Sequence, residues 1–149
     1  MLVLPKADKS PDCSGVIAKL TDFGFSQFFS GDRTGQSLPK SEPWNAPEHH
    51  FRPVEFYEGV DADNWCYALF CLWVLFHGKP GFPDLDQFKT GRAKEELRGY
   101  ACSLTKCEKA LYKPVKEILH NMFSCFLMCD PRLRVGNIGQ FLFELGSIE

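Results

Sequence analysis

The hydrophobic pattern of this chain changes character along its length. At the N-terminal end the apolar runs are short, Leu2 to Leu4 and then Val16 to Leu20, with a polar stretch between them. Pro11, Asp12 and Ser14 are turn formers in that stretch, so the two runs predict a short β-hairpin. Residues 25 to 45 carry no period and read as an irregular surface segment. From Trp65 to Phe76 the run is unbroken and apolar on every side. It is too short for a bilayer, which needs about 20 residues, and predicts a helix buried in a domain. Asp61 or Asp63 is placed to cap its start, and His77-Gly78-Lys79-Pro80 is a stop signal.

Pro83 to Leu97 predicts a surface helix. Val115, Ile118, Leu119, Met122, Phe123, Phe126 and Leu127 then recur at the spacing of one helical face, with Pro114 suited to the first turn and Asp130-Pro131 ending the helix. Ile138, Phe141, Leu142 and Leu145 predict a last short helix, with Asn137 as its cap. The expected fold class is therefore mainly α, about five helices, with the short β-hairpin at the start.

Composition adds bounds to that picture. The 149 residues make one domain, and 44% hydrophobic content is enough for a core. A net charge of −2 carries no nucleic-acid footprint, and no basic run suits an anionic membrane. The start, Met1-Leu2-Val3-Leu4-Pro5, is no signal peptide. Seven cysteines, an odd number without a C-x-x-C pair, read as buried reduced thiols of an intracellular protein, cytoplasmic or nuclear. His49-His50 lack a third ligand or H-E-x-x-H spacing and read as helix-turn residues. Trp65, Tyr67 and Trp73 read as core.

Two tripeptides give the chain a chemical theme. Asp22-Phe23-Gly24 follows the second apolar run directly, and Ala46-Pro47-Glu48 follows a polar stretch that contains Ser26, Ser30, Thr34, Ser37 and Ser41. Asp63-Asn64-Trp65-Cys66-Tyr67-Ala68 leads into the central apolar run, and Asp130-Pro131-Arg132-Leu133-Arg134 lies near the end. In this order and spacing the chain resembles the C-terminal lobe of eukaryotic protein kinases over all its residues, beginning at the strand that follows the catalytic loop. The resemblance makes 1–149 a partial kinase domain with the activation segment at 22–48.

The resemblance implies a role for each motif. Asp22, with Phe23 and Gly24, would hold the magnesium that bridges the ATP phosphates, since a hard cation takes carboxylate oxygens. Phe23 would pack on the lobe. Glu48 would pair with Arg134, and Asp63 would accept backbone N–H bonds from the catalytic loop; both roles are structural. Thr34, Ser37, Ser41 and Trp44 would belong to the activation and substrate-docking loop, where phosphorylation adds charge that arginines grip. The hydroxyl of Ser41 favours a Ser/Thr-directed enzyme. Lys40 and Trp44 depart from the glycine and tyrosine common at those positions. A protein substrate or partner would dock on this loop and the Pro83–Leu97 region.

Four parts of the phosphoryl-transfer machinery have no counterpart here: the Gly-rich loop, the strand lysine, and the aspartate and asparagine of the catalytic loop. Asp12 and Asp32 lie in the wrong motifs to substitute. The N-terminal lobe and catalytic loop are thus absent from these residues. The expectation is that this chain alone has no kinase activity and no useful ATP affinity. It reads as a fragment of a Ser/Thr-type kinase, with a non-catalytic protein-binding module or a pseudokinase remnant as alternatives.

Overall fold

In a computed structural model, the described residues are 2–5, 16–19, 21, 23–26, 28, 37–50, 53–79, 82–89 and 91–148. The chain divides into two units, Met1–Ser30 and Gly31–Glu149. In the first unit, β1 (Leu2–Pro5) pairs antiparallel with β2 (Val16–Lys19), Leu2 opposite Lys19 and Pro5 opposite Val16. A single 3-10 turn follows at Phe23–Phe25.

The second unit is helical. Among the described residues it contains α1 (Phe56–Phe76), α2 (Gly91–Cys107), α3 (Lys113–Phe126) and α4 (Ile138–Gly146), with 3-10 turns at Pro47–His50, Leu85–Lys89 and Pro131–Leu133. None of the described helices is long and apolar enough to cross a membrane.

The central helix starts well before the apolar run, which corrects the expected cap. Glu55 is the N-cap, and the Glu58 carboxylate accepts the Glu55 N–H at 3.0 Å. That reciprocal bond satisfies a backbone donor the helix itself leaves open. Asp61 and Asp63 therefore lie inside α1. Nor is the run buried on every side. Trp65, Ala68, Leu69, Leu72 and Phe76 form the buried stripe, Tyr67 and Trp73 are half-buried, and Val74 is exposed. The C-terminal stop is local: the His77 N–H reaches the Trp73 carbonyl at 2.8 Å, and Gly78 takes a φ of +82°.

The surface helix expected over Pro83–Leu97 is two elements. The Leu85–Lys89 turn kinks at Phe88, and α2 begins afresh at Gly91 and runs on to Cys107. Its inner face carries Lys94, Leu97, Ala101 and Thr105, all buried, so α2 is as much core as surface.

Helix α3 presents Leu119, Met122, Phe123 and Phe126 to the core. Each such side chain contributes about 1.5–3 kcal/mol on burial. Asn137 caps α4 by accepting the Gln140 N–H at 2.9 Å. Before it, Gly136 has a φ of +95°, and a Cβ there would stand 3.3 Å from the Phe141 ring. That close approach lets Phe141 meet Phe126 edge-on at 5.0 Å. The six described cysteines are free thiols; five are half-buried rather than fully buried, and Cys107 is exposed.

Candidate functional site

The 41–50 segment is tied to the rest of its unit through Trp44, Asn45 and Glu48. It begins as a turn: the Trp44 N–H bonds the Ser41 carbonyl at 2.9 Å, and the Asn45 side-chain oxygen accepts the Ser41 N–H at 2.6 Å. It ends in the Pro47–His50 turn, which carries Glu48 inward to 8% exposure.

Arg134 meets Glu48 from 86 positions away. Nη1 donates to Oε1, and Nη2 donates to Oε2 at 2.8 Å. The guanidinium spends its other donors on backbone carbonyls, Nη1 on Asp61 at 3.0 Å and Nε on Met128 at 2.7 Å. It also lies over the Trp65 ring at 5.2 Å. A buried charge pair is tolerated only when bidentate and hydrogen-bonded in this way. The Asp61 carboxyl beside it is raised chiefly by burial, against the pull of Arg134.

A second cation holds the middle of the segment. Lys94, 1% exposed on α2, donates from Nζ to the Asn45 carbonyl at 2.7 Å, with Glu42 at 3.9 Å. Burial lowers its pKa, partly offset by Glu42. No motif flags Lys94. Its only signal is that it falls on the stripe of Leu97, Ala101 and Thr105. Cys66 makes a third tie, its thiol donating to the Trp44 carbonyl at 3.2 Å. Burial pushes that thiol up to about 12.

Outside these ties the segment borders an open cavity of about 500 Å³. Trp44 meets Trp73 edge-on at 6.2 Å, Trp73 stacks with His77 at 4.7 Å, and Phe82 closes the aromatic wall beside His77 at 6.3 Å. Asp84 and Asp86 stand at the rim. The 41–50 segment and the residues after Pro83 thus share one concave surface, of the size that takes a few side chains.

The remaining candidate residues are dispersed. Asp22 and Thr34, like Ser30, lie outside the described residues. Phe23 is 67% exposed, and Gly24 sits in the Phe23–Phe25 turn. Ser37 and Ser41 are exposed. The Asp63 side chain is exposed and makes no hydrogen bond among the described residues; partial desolvation raises its pKa and nearby His49 lowers it. No group of three or more His, Cys, Asp and Glu side chains among the described residues converges as a metal site. No family model, curated protein or solved structure matches the chain.

Proposed function

We propose that residues 1–149 form the C-terminal lobe of a protein kinase domain of the Ser/Thr-directed type, and that they hold a protein substrate or partner rather than transfer phosphate by themselves. The observation that carries this reading is the buried Glu48–Arg134 pair, which ties the Ala46-Pro47-Glu48 motif to the Asp130–Arg134 motif. Two short motifs distant in sequence have one physical job together, which chance matches rarely do. The concave surface beside Trp44 supports the docking role.

Magnesium and ATP enter this proposal through Asp22 alone. Magnesium would neutralise charge on the phosphates in the whole domain. The alternative is a protein-binding module with no catalytic parent, or a pseudokinase remnant.

The deciding experiment is to sequence the 5′ end of the transcript in the native source. An in-frame His-Arg-Asp-x-x-x-x-Asn directly upstream supports the kinase reading, and phosphotransfer by the extended protein should then vanish in Asp22→Ala. An upstream frame without that motif removes catalysis and leaves the binding module. The 149-residue chain itself should show no phosphotransfer and no thermal shift with magnesium-ATP.

A further inference from the structure

The concave surface beside Trp44 has a definite chemistry. Trp44, Trp73 and Phe82 are each half-buried, so each leaves part of a ring at the surface. Trp73 and His77 stack at 28°, and a ring stands nearly upright at either end of that pair: Trp44 at 84° to Trp73, and Phe82 at 86° to His77. The wall is a run of rings, not a single slot. It is also held before anything binds. The Trp44 carbonyl takes the Cys66 thiol, the His77 N–H bonds the Trp73 carbonyl, and the Phe82 N–H bonds the Lys79 carbonyl at 3.0 Å. A preformed wall lowers the ordering cost of binding.

The charge at the rim is one-sided. Lys79, Asp84 and Asp86 are the charged residues in the lining. Lys79 is engaged by Glu108, and Asp86 has Lys89 at 3.0 Å. Asp84 has no ion pair among the described residues. One of its oxygens accepts the Asp86 N–H at 3.1 Å, and the other has no partner there. An uncompensated carboxylate beside exposed aromatic surface selects a cation, which gains from both.

The form of the partner follows from the backbone around the cavity. The bordering elements are the turn at 41–44, the end of α1 and the 3-10 turn that begins at Leu85, and none of them offers a strand edge to an added strand. A polyproline II segment needs no such edge, because it binds through its side chains and keeps its backbone solvated. Prolines on one face of that helix lie about 9 Å apart. Neighbouring rings of the wall are 6.2, 4.7 and 6.3 Å apart, so successive prolines meet different rings.

We propose that this groove binds a proline-rich segment of a partner protein, with its prolines against the ring wall and a flanking arginine on Asp84. Arginine fits better than lysine, because a planar guanidinium both stacks on rings and forks onto a carboxylate. The proposal rests on the docking role inferred above and is independent of the kinase parentage.

The chain has three tryptophans, and the third, Trp65, is fully buried. One spectrum of indole N–H resonances therefore reports the groove and a control together. The test is titration of the ¹⁵N-labelled 149-residue chain with three capped peptides: Ala-Pro-Pro-Ala-Pro-Pro-Arg, the same peptide with alanine at every proline, and an amphipathic helix of leucine and lysine. The expected result is saturable shifts of Trp44 and Trp73 with the proline peptide and a stationary Trp65. Affinity should fall at least about tenfold for the alanine peptide and in Phe82→Ala. Asp84→Asn should lose about twofold to fivefold, and nothing when citrulline replaces the arginine. An unmoved Trp65 resonance certifies that each variant is folded, and Asp84→Asn, at an exposed position, carries the test if Phe82→Ala does not fold. No shift with the proline peptide, equal affinity for the alanine peptide, or full affinity in either folded variant would overturn the proposal. Shifts of Trp44 and Trp73 with the helical peptide alone would overturn it and leave the docking role standing. No shift with any of the three would overturn both.

Discussion

Arg134 and Lys94 both fasten the 41–50 segment to the helical unit, and they do so by different physics. Arg134 delivers a planar fork to a carboxylate, and its other bonds go to two carbonyls. Its charge is matched within the core. Lys94 delivers one bond to a neutral carbonyl, with its nearest carboxylate oxygen at 3.9 Å. Its charge is poorly matched, which is why burial lowers its pKa while it stays attached. A matched pair resists removal of either member. A mismatched lysine is useful for its position and expensive for its charge.

The largest effect that would test this contrast is loss of the pair. Arg134→Met should cost about 3–5 kcal/mol in urea denaturation, because Glu48 is left buried and unpaired. Glu48→Leu combined with Arg134→Met should recover much of that loss. A cost for Arg134→Met no larger than that of a Lys94 variant would break the comparison.

Next in size is Lys94→Ala, expected to cost about 1–3 kcal/mol, since the buried Asn45 carbonyl loses its donor. Lys94→Met should cost less, because it keeps the apolar stem and removes the ill-matched charge. The same urea melts rank the two variants.

The alkaline pH profile sharpens the distinction further. Lys94 has a folded pKa below its ordinary 10.5, so the unfolded chain holds more protons as pH approaches 10.5. Wild type should therefore gain stability relative to Lys94→Met as pH rises through that range. Cys66 runs the other way. Its thiol rises from 9.0 to about 12, so the unfolded chain loses its proton first between those values. Wild type should lose stability relative to Cys66→Ala from pH 9.0 toward 12. Parallel slopes for the two differences would contradict the assigned environments.

The smallest effect is on thiol chemistry. At pH 8, iodoacetamide should modify exposed Cys107 well before Cys66, read by peptide mass spectrometry. Comparable rates would mean that the tie from Cys66 to Trp44 opens readily.

The sequence made one of these two cations visible and hid the other. Arg134 sits in a recognisable motif, and its partner Glu48 sits in another, so the pair could be expected before any geometry was known. Lys94 sits in the polar-looking Gly91–Leu97 stretch, where its place on a buried stripe emerges only once α2 is seen to continue to Cys107. The same continuation exposes the error over Pro83–Leu97, since the kink at Phe88 leaves no composition signal. The α1 start was missed because glutamate at an N-cap is weak in isolation, and Glu55 works there through its reciprocal partner Glu58.

What the sequence determined by itself is whatever depends on neighbours a few residues apart. The α3 stripe, the Asn137 cap and the Gly78 stop all follow from helical periodicity and from backbone groups whose partners lie nearby in the chain. What only the tertiary structure decided is which distant groups share a low-dielectric space. It put Lys94 under Asn45 and Cys66 against Trp44. Each of these rests on desolvation and long-range packing, and neither scales with separation along the chain.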